Sequence, residues 1–269
     1  LISSEEAFRL YLRLNNISPN IKFGNYQIAR NVTVPELIDI LDKGVLKTSF
    51  WVTIREGLWD DQLADMLDEK FNEAGSRKKF NKSDFLSITE SPDLHQFSDE
   101  NQEFLDKYKP NGVALIGFLY PDTYQFNSDS TASEVIETMI KTLQTRIKDK
   151  ALNIDGISNN LTNFYDALKL ASIIEKEAGG SDDKKLISSV FHNRLADNWY
   201  LQSNATINFI TKSKNPRITD EDLAIDSPYN SYKYTGLPPT PVCNPGIDSI
   251  SAAINPTQSD YYYFRHDTN

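Results

Sequence analysis

LTNFYDALKLASIIEKEAGG, residues 161–180, repeats apolar residues at helical spacing and sets two acids, Glu175 and Glu177, among them. Rotation by about 100° per residue from Phe164 gathers Leu161, Leu168, Ala171 and Ala178 within roughly 60° of one line, with Ala167 and Ile174 within about 80°. Glu175 falls at about 20°, inside that apolar face, and Glu177 at about −140°, beside Asp166 and toward Lys169 and Lys176. Positions i and i+2 do not share a helix face, so at most one of these acids looks into the core, and the geometry selects Glu175. Glu177 reads as a solvated surface acid.

A carboxyl in apolar surroundings is costly to ionise, and a Glu held protonated near neutrality is what general acid catalysis requires. A second reading stands beside this one, in which Glu175 is a core-edge acid paired with an Arg or Lys, for instance Arg194 of the next helix.

The helix over 161–178 belongs to a largely helical second half, with further helices expected over 131–149 and 183–197 and a short one over Ser249–Ile254. Between them, 199–248 reads as a long irregular stretch rich in Tyr, Asn and Pro, and a stretch of that length within a domain is usually functional. The first half is mixed. A helix is expected over SSEEAFRLYLRL, then a strand from Ile21 through Tyr26, then a helix with Thr33 as cap, Pro35 in its first turn and Gly44 past its end. SFWVTIREGLWDDQLADMLDEKF repeats the plan: a strand Trp51–Ile54, a turn at Gly57 and a helix through Leu63, Met66 and Leu67. A polar connection around 75–84 and helical pattern near FLSI and NQEFLDKY follow. The fold class is therefore α+β, with an α+β region over 1–115 and a mainly helical domain with a long loop and short-strand region over 116–269.

Composition narrows the function. The 269 residues, 39% hydrophobic, suffice for a buried core, and a net charge of −10 lacks the basic footprint of a nucleic-acid binder. Cys243 alone excludes an internal disulfide, and His95, His192 and His266 are too scattered for a histidine-rich metal site, so no metal is expected. No run approaches the roughly 18 apolar residues of a membrane span. Leu1 begins without an initiator Met or a leader profile, which reads as a trimmed chain compatible with a lost N-terminal anchor.

The loop region is rich in groups suited to sugars. In LQSNATINF, Gln202, Ser203, Asn204 and Thr206 offer neutral donors and acceptors for hydroxyl and acetamido groups, or else Asn204 and Thr206 cap a turn. In DSPYNSY, Tyr229, Asn230 and Tyr232 supply aromatic faces and an amide, or else a turn with structural tyrosines. The prolines and glycines of GLPPTPVCNPG stiffen a loop that reads as a groove wall, with Cys243 as a packed thiol.

Taken in order, VTIREGLWDDQLADML, GFLYPDTYQF, ASIIEKE, VFHNRL, LQSNATINF, DSPYNSY, GLPPTPVCNPG and AAINPT closely resemble the YceG/MltG family of endolytic murein transglycosylases, over nearly the whole chain. The resemblance implies a LysM-like peptidoglycan-binding unit at about 48–100 and a catalytic domain after it. It implies a single-pass protein of the bacterial cytoplasmic membrane, anchored through an N-terminal segment, with its catalytic part on the outer side. Its substrate would be peptidoglycan glycan strands and its partners cell-wall synthases, with no cofactor. The implied reaction cleaves the β-1,4 bond between N-acetylmuramic acid and N-acetylglucosamine and leaves 1,6-anhydro-muramyl ends. The family's catalytic Glu falls on Glu175, and Asn193 in VFHNRL joins Gln202, Ser203, Asn204, Thr206, Tyr229, Asn230 and Tyr232 as implied substrate-binding residues.

Three features depart from the family pattern. Asn204-Ala205 stands where an Asp-Pro pair is common, Ile116 stands where an acid is frequent, and YYYFRHDTN closes the sequence where a Gly- and His-containing segment usually follows. Two rival readings stand beside it: a non-catalytic glycan-binding scaffold with a structural Glu175, and a pyridoxal-phosphate lyase, which the lack of a Gly-rich phosphate loop disfavours.

Overall fold

The computed structural model describes residues 5–18, 26, 28–29, 31–43, 49–74, 80–157, 160–180, 183–213 and 217–264. Two compact units divide the chain, Leu1–Ser49 and Phe50–Asn269.

The first unit holds α1 (Glu5–Leu14) and α2 (Val34–Lys43). Thr33 sits where a cap was expected, its backbone N–H and its hydroxyl both donating to Glu36 Oε2 at 2.8 and 2.7 Å. The strand expected from Ile21 lies outside the described residues except for Tyr26, and so does Gly44.

The second unit runs β1 (Ser49–Thr53), α3 (Asp60–Glu73), α4 (Lys82–Glu90), a 3-10 turn at Pro92–Leu94, α5 (Asp99–Tyr108), β2 (Thr123–Asn127) and α6 (Ala132–Asp149). It continues through α7 (Phe164–Glu177), α8 (Lys184–Ala196), α9 (Asn204–Thr211), α10 (Asp220–Ala224) and α11 (Ile247–Ile254). β1 pairs with β2 in a two-stranded sheet, which makes the fold α+β with helices dominant. Alternation sends Val52 of β1 and Tyr124 and Phe126 of β2 inward. There Phe71 of α3 stacks on Phe80 at 4.5 Å and on Phe126 at 6.0 Å between ring centres.

α7 is the centre of this unit. α8, α9 and α11 all pack on it, and Tyr165, Leu170, Ser172 and Ile173 are buried on faces that the rotation from Phe164 left polar or neutral. A helix buried all round is a core helix rather than a surface one. It begins at Phe164 instead of Leu161 because the Asn163 side chain accepts from Asp166 N at 2.9 Å, ending the non-helical lead-in.

The division expected near residue 115 falls inside the second unit, whose core runs from Val52 to Ile254 as one cluster. Phe104 lies 6.3 Å from both Phe118 and Phe164, so aromatic packing crosses that point.

The stretch 199–248, expected to be irregular with short strands, instead contains α9 and α10, and no strand among its described residues. Both are too short to show helical periodicity, and each is started by a cap: the Ser203 hydroxyl accepts from Ala205 N and the Thr219 hydroxyl from Asp222 N. Among the described residues no helix is long and apolar enough to cross a membrane.

Candidate active site

The last turn of α7 delivers Glu175 into a polar cluster built by three other segments. Its side chain is 7% exposed. Lys184, the first residue of α8, places Nζ 3.1 Å from Oε1 and 3.2 Å from Oε2. At the start of α11, Gly246 N–H donates to Oε2 at 2.9 Å and the Ser249 hydroxyl at 2.7 Å. A helix N-terminus offers free amide donors and a favourable dipole to a carboxylate, so α11 is oriented to hold this one. The partner of Glu175 is thus Lys184; Arg194, named as one possible partner, points elsewhere and donates to the carbonyls of Tyr262 and Leu201 at 2.8 and 2.6 Å.

A second carboxyl enters from the turn after β1. Glu56 Oε2 lies 3.6 Å from the same Lys184 Nζ. Burial first, then the neighbouring Glu175, raises the Glu56 carboxyl above its ordinary range, while Lys184 opposes the shift. A cavity of about 380 Å³ opens beside Glu56, lined among others by Tyr120, Asp122, Arg146, Lys150 and Ile247.

Asn244 ties the three strands of chain around this point. Its backbone N–H donates to Leu58 O, its carbonyl accepts from Gly57 N at 2.9 Å, and its Nδ2 donates to Asp60 Oδ1 at 2.9 Å. Its Oδ1 accepts from Gly117 N at 2.7 Å and Leu119 N at 3.2 Å. Burial pushes the Asp60 carboxyl up to about 6, although the Asn244 bond favours its charged form. Gly117 adopts φ +95°, and a Cβ there would come 2.6 Å from Pro241 Cγ, so only glycine fits. Cys243 is buried, with its thiol directed at Ser172 O at 3.2 Å and pushed up by burial, as a packed thiol should be.

Glu177 is not the solvated acid expected. It is half-buried, and its Oε1 accepts from the Ser203 hydroxyl at 2.5 Å and Ala205 N at 3.5 Å, anchoring the start of α9. The i,i+2 relation does separate the two acids, but both faces of this helix end are covered, one by α8 and α11 and the other by α9.

The loop residues chosen from sequence gather on the α9 side. Ser203 and Thr206 are buried, joined through Ser231, whose hydroxyl lies 2.8 Å from that of Thr206 and accepts from Ser203 N at 2.9 Å. Asn204 is exposed and accepts from the Tyr232 hydroxyl at 2.6 Å; Gln202 is exposed with φ +51°. Tyr229 packs on Phe209 at 5.0 Å, and its hydroxyl lies 3.0 Å from that of Thr240. Asn230 is fully buried and gives its amide to the carbonyls of Leu223 and Ile225. Asn193 spends its amide on the carbonyls of Ser259 and Tyr261, fastening the C-terminal segment to α8. Ile116 is buried in the core.

Sequence reasoning missed Glu56, Lys184 and Ser249. Glu56 carried one signal, an acid beside the turn glycine at the end of a strand; the other two lie in ordinary helix-start positions.

A helix-rich α+β unit with a buried carboxyl held by an ammonium and a helix N-terminus, a second acid and an adjoining cavity is the frame of an acid–base site. The whole of it matches one family: the YceG-like family profile covers residues 1–269. The chain is 31% identical over 273 residues to the endolytic murein transglycosylase of Bacillus subtilis strain 168, covering 100% of this chain and 73% of that protein. It is 31% identical over 284 residues to the endolytic murein transglycosylase of Streptococcus pneumoniae R6, covering 98% of this chain but only 50% of that protein. A crystal structure of a yceG-like protein from Listeria monocytogenes superposes with a TM-score of 0.67 at 31% identity, over 99% of this chain and 85% of that one. This chain belongs to the YceG-like family.

Proposed function

We propose that this chain is an endolytic peptidoglycan lytic transglycosylase, with Glu175 as its general acid and then base. It cleaves the β-1,4 bond between N-acetylmuramic acid and N-acetylglucosamine within glycan strands. Glu175 gives a proton to the departing glycosidic oxygen. As a carboxylate it then takes the proton of the muramic C6 hydroxyl while that oxygen closes on C1, leaving a 1,6-anhydro end. The nucleophile is part of the substrate, so the reaction needs neither a bound water nor a second carboxylate placed across the sugar ring.

The observation that carries this reading is the placing of one buried Glu where a helix N-terminus, a serine hydroxyl and an ammonium converge. The curated relatives bearing the name of this activity support it. Gln202, Asn204 and Tyr232, exposed or half-buried on the α9 side, are the substrate contacts of this proposal, with Ser203, Thr206, Tyr229, Asn230 and Asn193 shaping the surface that presents them. The region 48–100 acts as a LysM-like glycan-positioning unit. Anchoring in the bacterial cytoplasmic membrane, action on its outer side and cooperation with cell-wall synthases belong to the same proposal.

Incubation of the purified protein with intact sacculi, followed by mass identification of the fragments, tests it. Anhydro-ended muropeptides are expected from the wild type and not from Glu175→Gln, which keeps the shape and removes the transferable proton. Equal release by both would make Glu175 structural.

A further inference from the structure

We infer that Glu56 is a positioning residue of this site, a second acid that shares one proton with Glu175 beneath the charge of Lys184. The inference rests on the reading of Glu175 as the acid–base residue and supplies what that reading lacks, a source for the proton.

The contacts set up the sharing. Lys184, 9% exposed, reaches both carboxyls with a single Nζ, at 3.1 Å and 3.6 Å. Two carboxylates and one ammonium would leave one surplus negative charge beside the buried Glu175–Lys184 pair. One proton between the acids makes the cluster neutral, as in other close carboxyl pairs.

Hydrogen-bond directions decide where that proton rests. Glu175 already accepts from Lys184, Gly246 N and Ser249 Oγ, all donors, so its oxygens are used as acceptors. Glu56 is half-exposed beside its cavity and stands at the longer distance from Lys184, so it is the better seat for the proton.

Room for this arrangement is built in. A Cβ on residue 246 would come 1.7 Å from Glu56 Oε1, so glycine there lets the Glu56 carboxyl sit against the start of α11.

The protons balance. The single proton passes first from Glu56 to Glu175, and Glu175 delivers it to the leaving oxygen as the glycosidic bond breaks. The C6 hydroxyl then returns one proton to the pair as its oxygen bonds to C1. The pair starts and ends each turnover with one proton.

Charged and titratable groups facing Glu56 are Glu175, Lys184, Tyr120, the Asp122–Arg146 ion pair, Asp149, and Lys150, which is held by Asp248. With those intact, Glu56→Gln is expected to lower kcat on sacculi by about 100-fold or more, with KM within about twofold. The alkaline limb of its pH profile should move to lower pH, because one carboxyl beside an ammonium holds a proton less tightly than two. Glu56→Ala removes the acid without adding bulk, and added formate is expected to restore its rate at least tenfold. Wild-type kcat and an unmoved limb in Glu56→Gln would overturn the inference, as would a slow Glu56→Ala that formate does not restore. Wild type and Glu175→Gln run alongside keep the two ideas apart. No anhydro ends from wild type sinks the proposed function, whereas an inactive Glu175→Gln with a fully active Glu56→Gln sinks only the role of Glu56.

Discussion

Lys184 Nζ stands 3.1 Å from Glu175 Oε1 and 3.6 Å from Glu56 Oε2, so one ammonium at the start of α8 joins the end of α7 to the turn after β1. The relationship is unusual for a helix start, where a cation opposes the dipole. The two acids offset that cost.

Replacing the ammonium should therefore be expensive. Lys184→Met leaves Glu175 with backbone and hydroxyl donors but no counter-charge, and breaking a buried pair from one side typically costs about 3 to 5 kcal/mol. Urea denaturation at pH 7 should show a loss near the lower end, since Glu56 can pass its proton to Glu175. A loss below about 0.5 kcal/mol would mean that the cluster is solvated in solution.

Asn244 joins the segments around Gly57 and Gly117 beside the site. Asn244→Ala leaves the N–H groups of Gly117 and Leu119, both in buried surroundings, without their acceptor. At about 1 to 3 kcal/mol for each orphaned donor, the expected loss is about 3 kcal/mol, or a Tm lower by about 6 to 12 °C. Differential scanning calorimetry measures it, and an unchanged Tm would show that the loops are held by other means.

Asp60 gives a pH signature. Its folded carboxyl titrates at about 6, above the ordinary 3.8, so the folded state binds its proton more tightly than the unfolded state. Stability is then highest below pH 4 for this group and falls as pH rises to about 6, by at most about 3 kcal/mol. Asp60→Asn keeps an acceptor for Asn244 and cannot ionise. It should be more stable than wild type at pH 7 and equal to it near pH 4, by urea titration at both values. A gap that is the same at both would remove burial of this charge as the cause.

Glu177 should behave as a helix anchor. Glu177→Gln weakens the bond to the Ser203 hydroxyl and the hold on α9, costing about 1 kcal/mol, while the cleavage rate on sacculi stays within about threefold of wild type. A rate loss of 100-fold without a stability loss would move Glu177 into the chemistry.

The pattern of ASIIEKE was legible as far as local geometry reaches. Periodicity put Glu175 on the apolar face and its side chain is buried, and the same periodicity put Glu177 on the opposite face. Periodicity could not say that α9 covers that opposite face, because the segment that forms α9 is short and its position depends on contacts 26 residues away in sequence. The helices α3, α6, α7 and α8 were readable from their long apolar repeats, whereas α9 and α10 were not, since one or two turns fixed by a Ser or Thr cap leave no period to detect.

By itself, then, the sequence determined the helical frame, the α+β class, the inward face of Glu175 and membership signals spread along the chain, all properties set by residues within a few positions of one another. Only the tertiary structure decided what Glu175 meets. Glu56, Lys184, Gly246 and Ser249 come from segments up to 119 residues distant and converge through the burial of α7 and the Asn244 ties, as the 119-residue reach from Lys176 to Gly57 beside them illustrates. Charge pairing and hydrogen bonding act over a few ångströms of space, and no spacing along the chain encodes which distant groups will be brought that close.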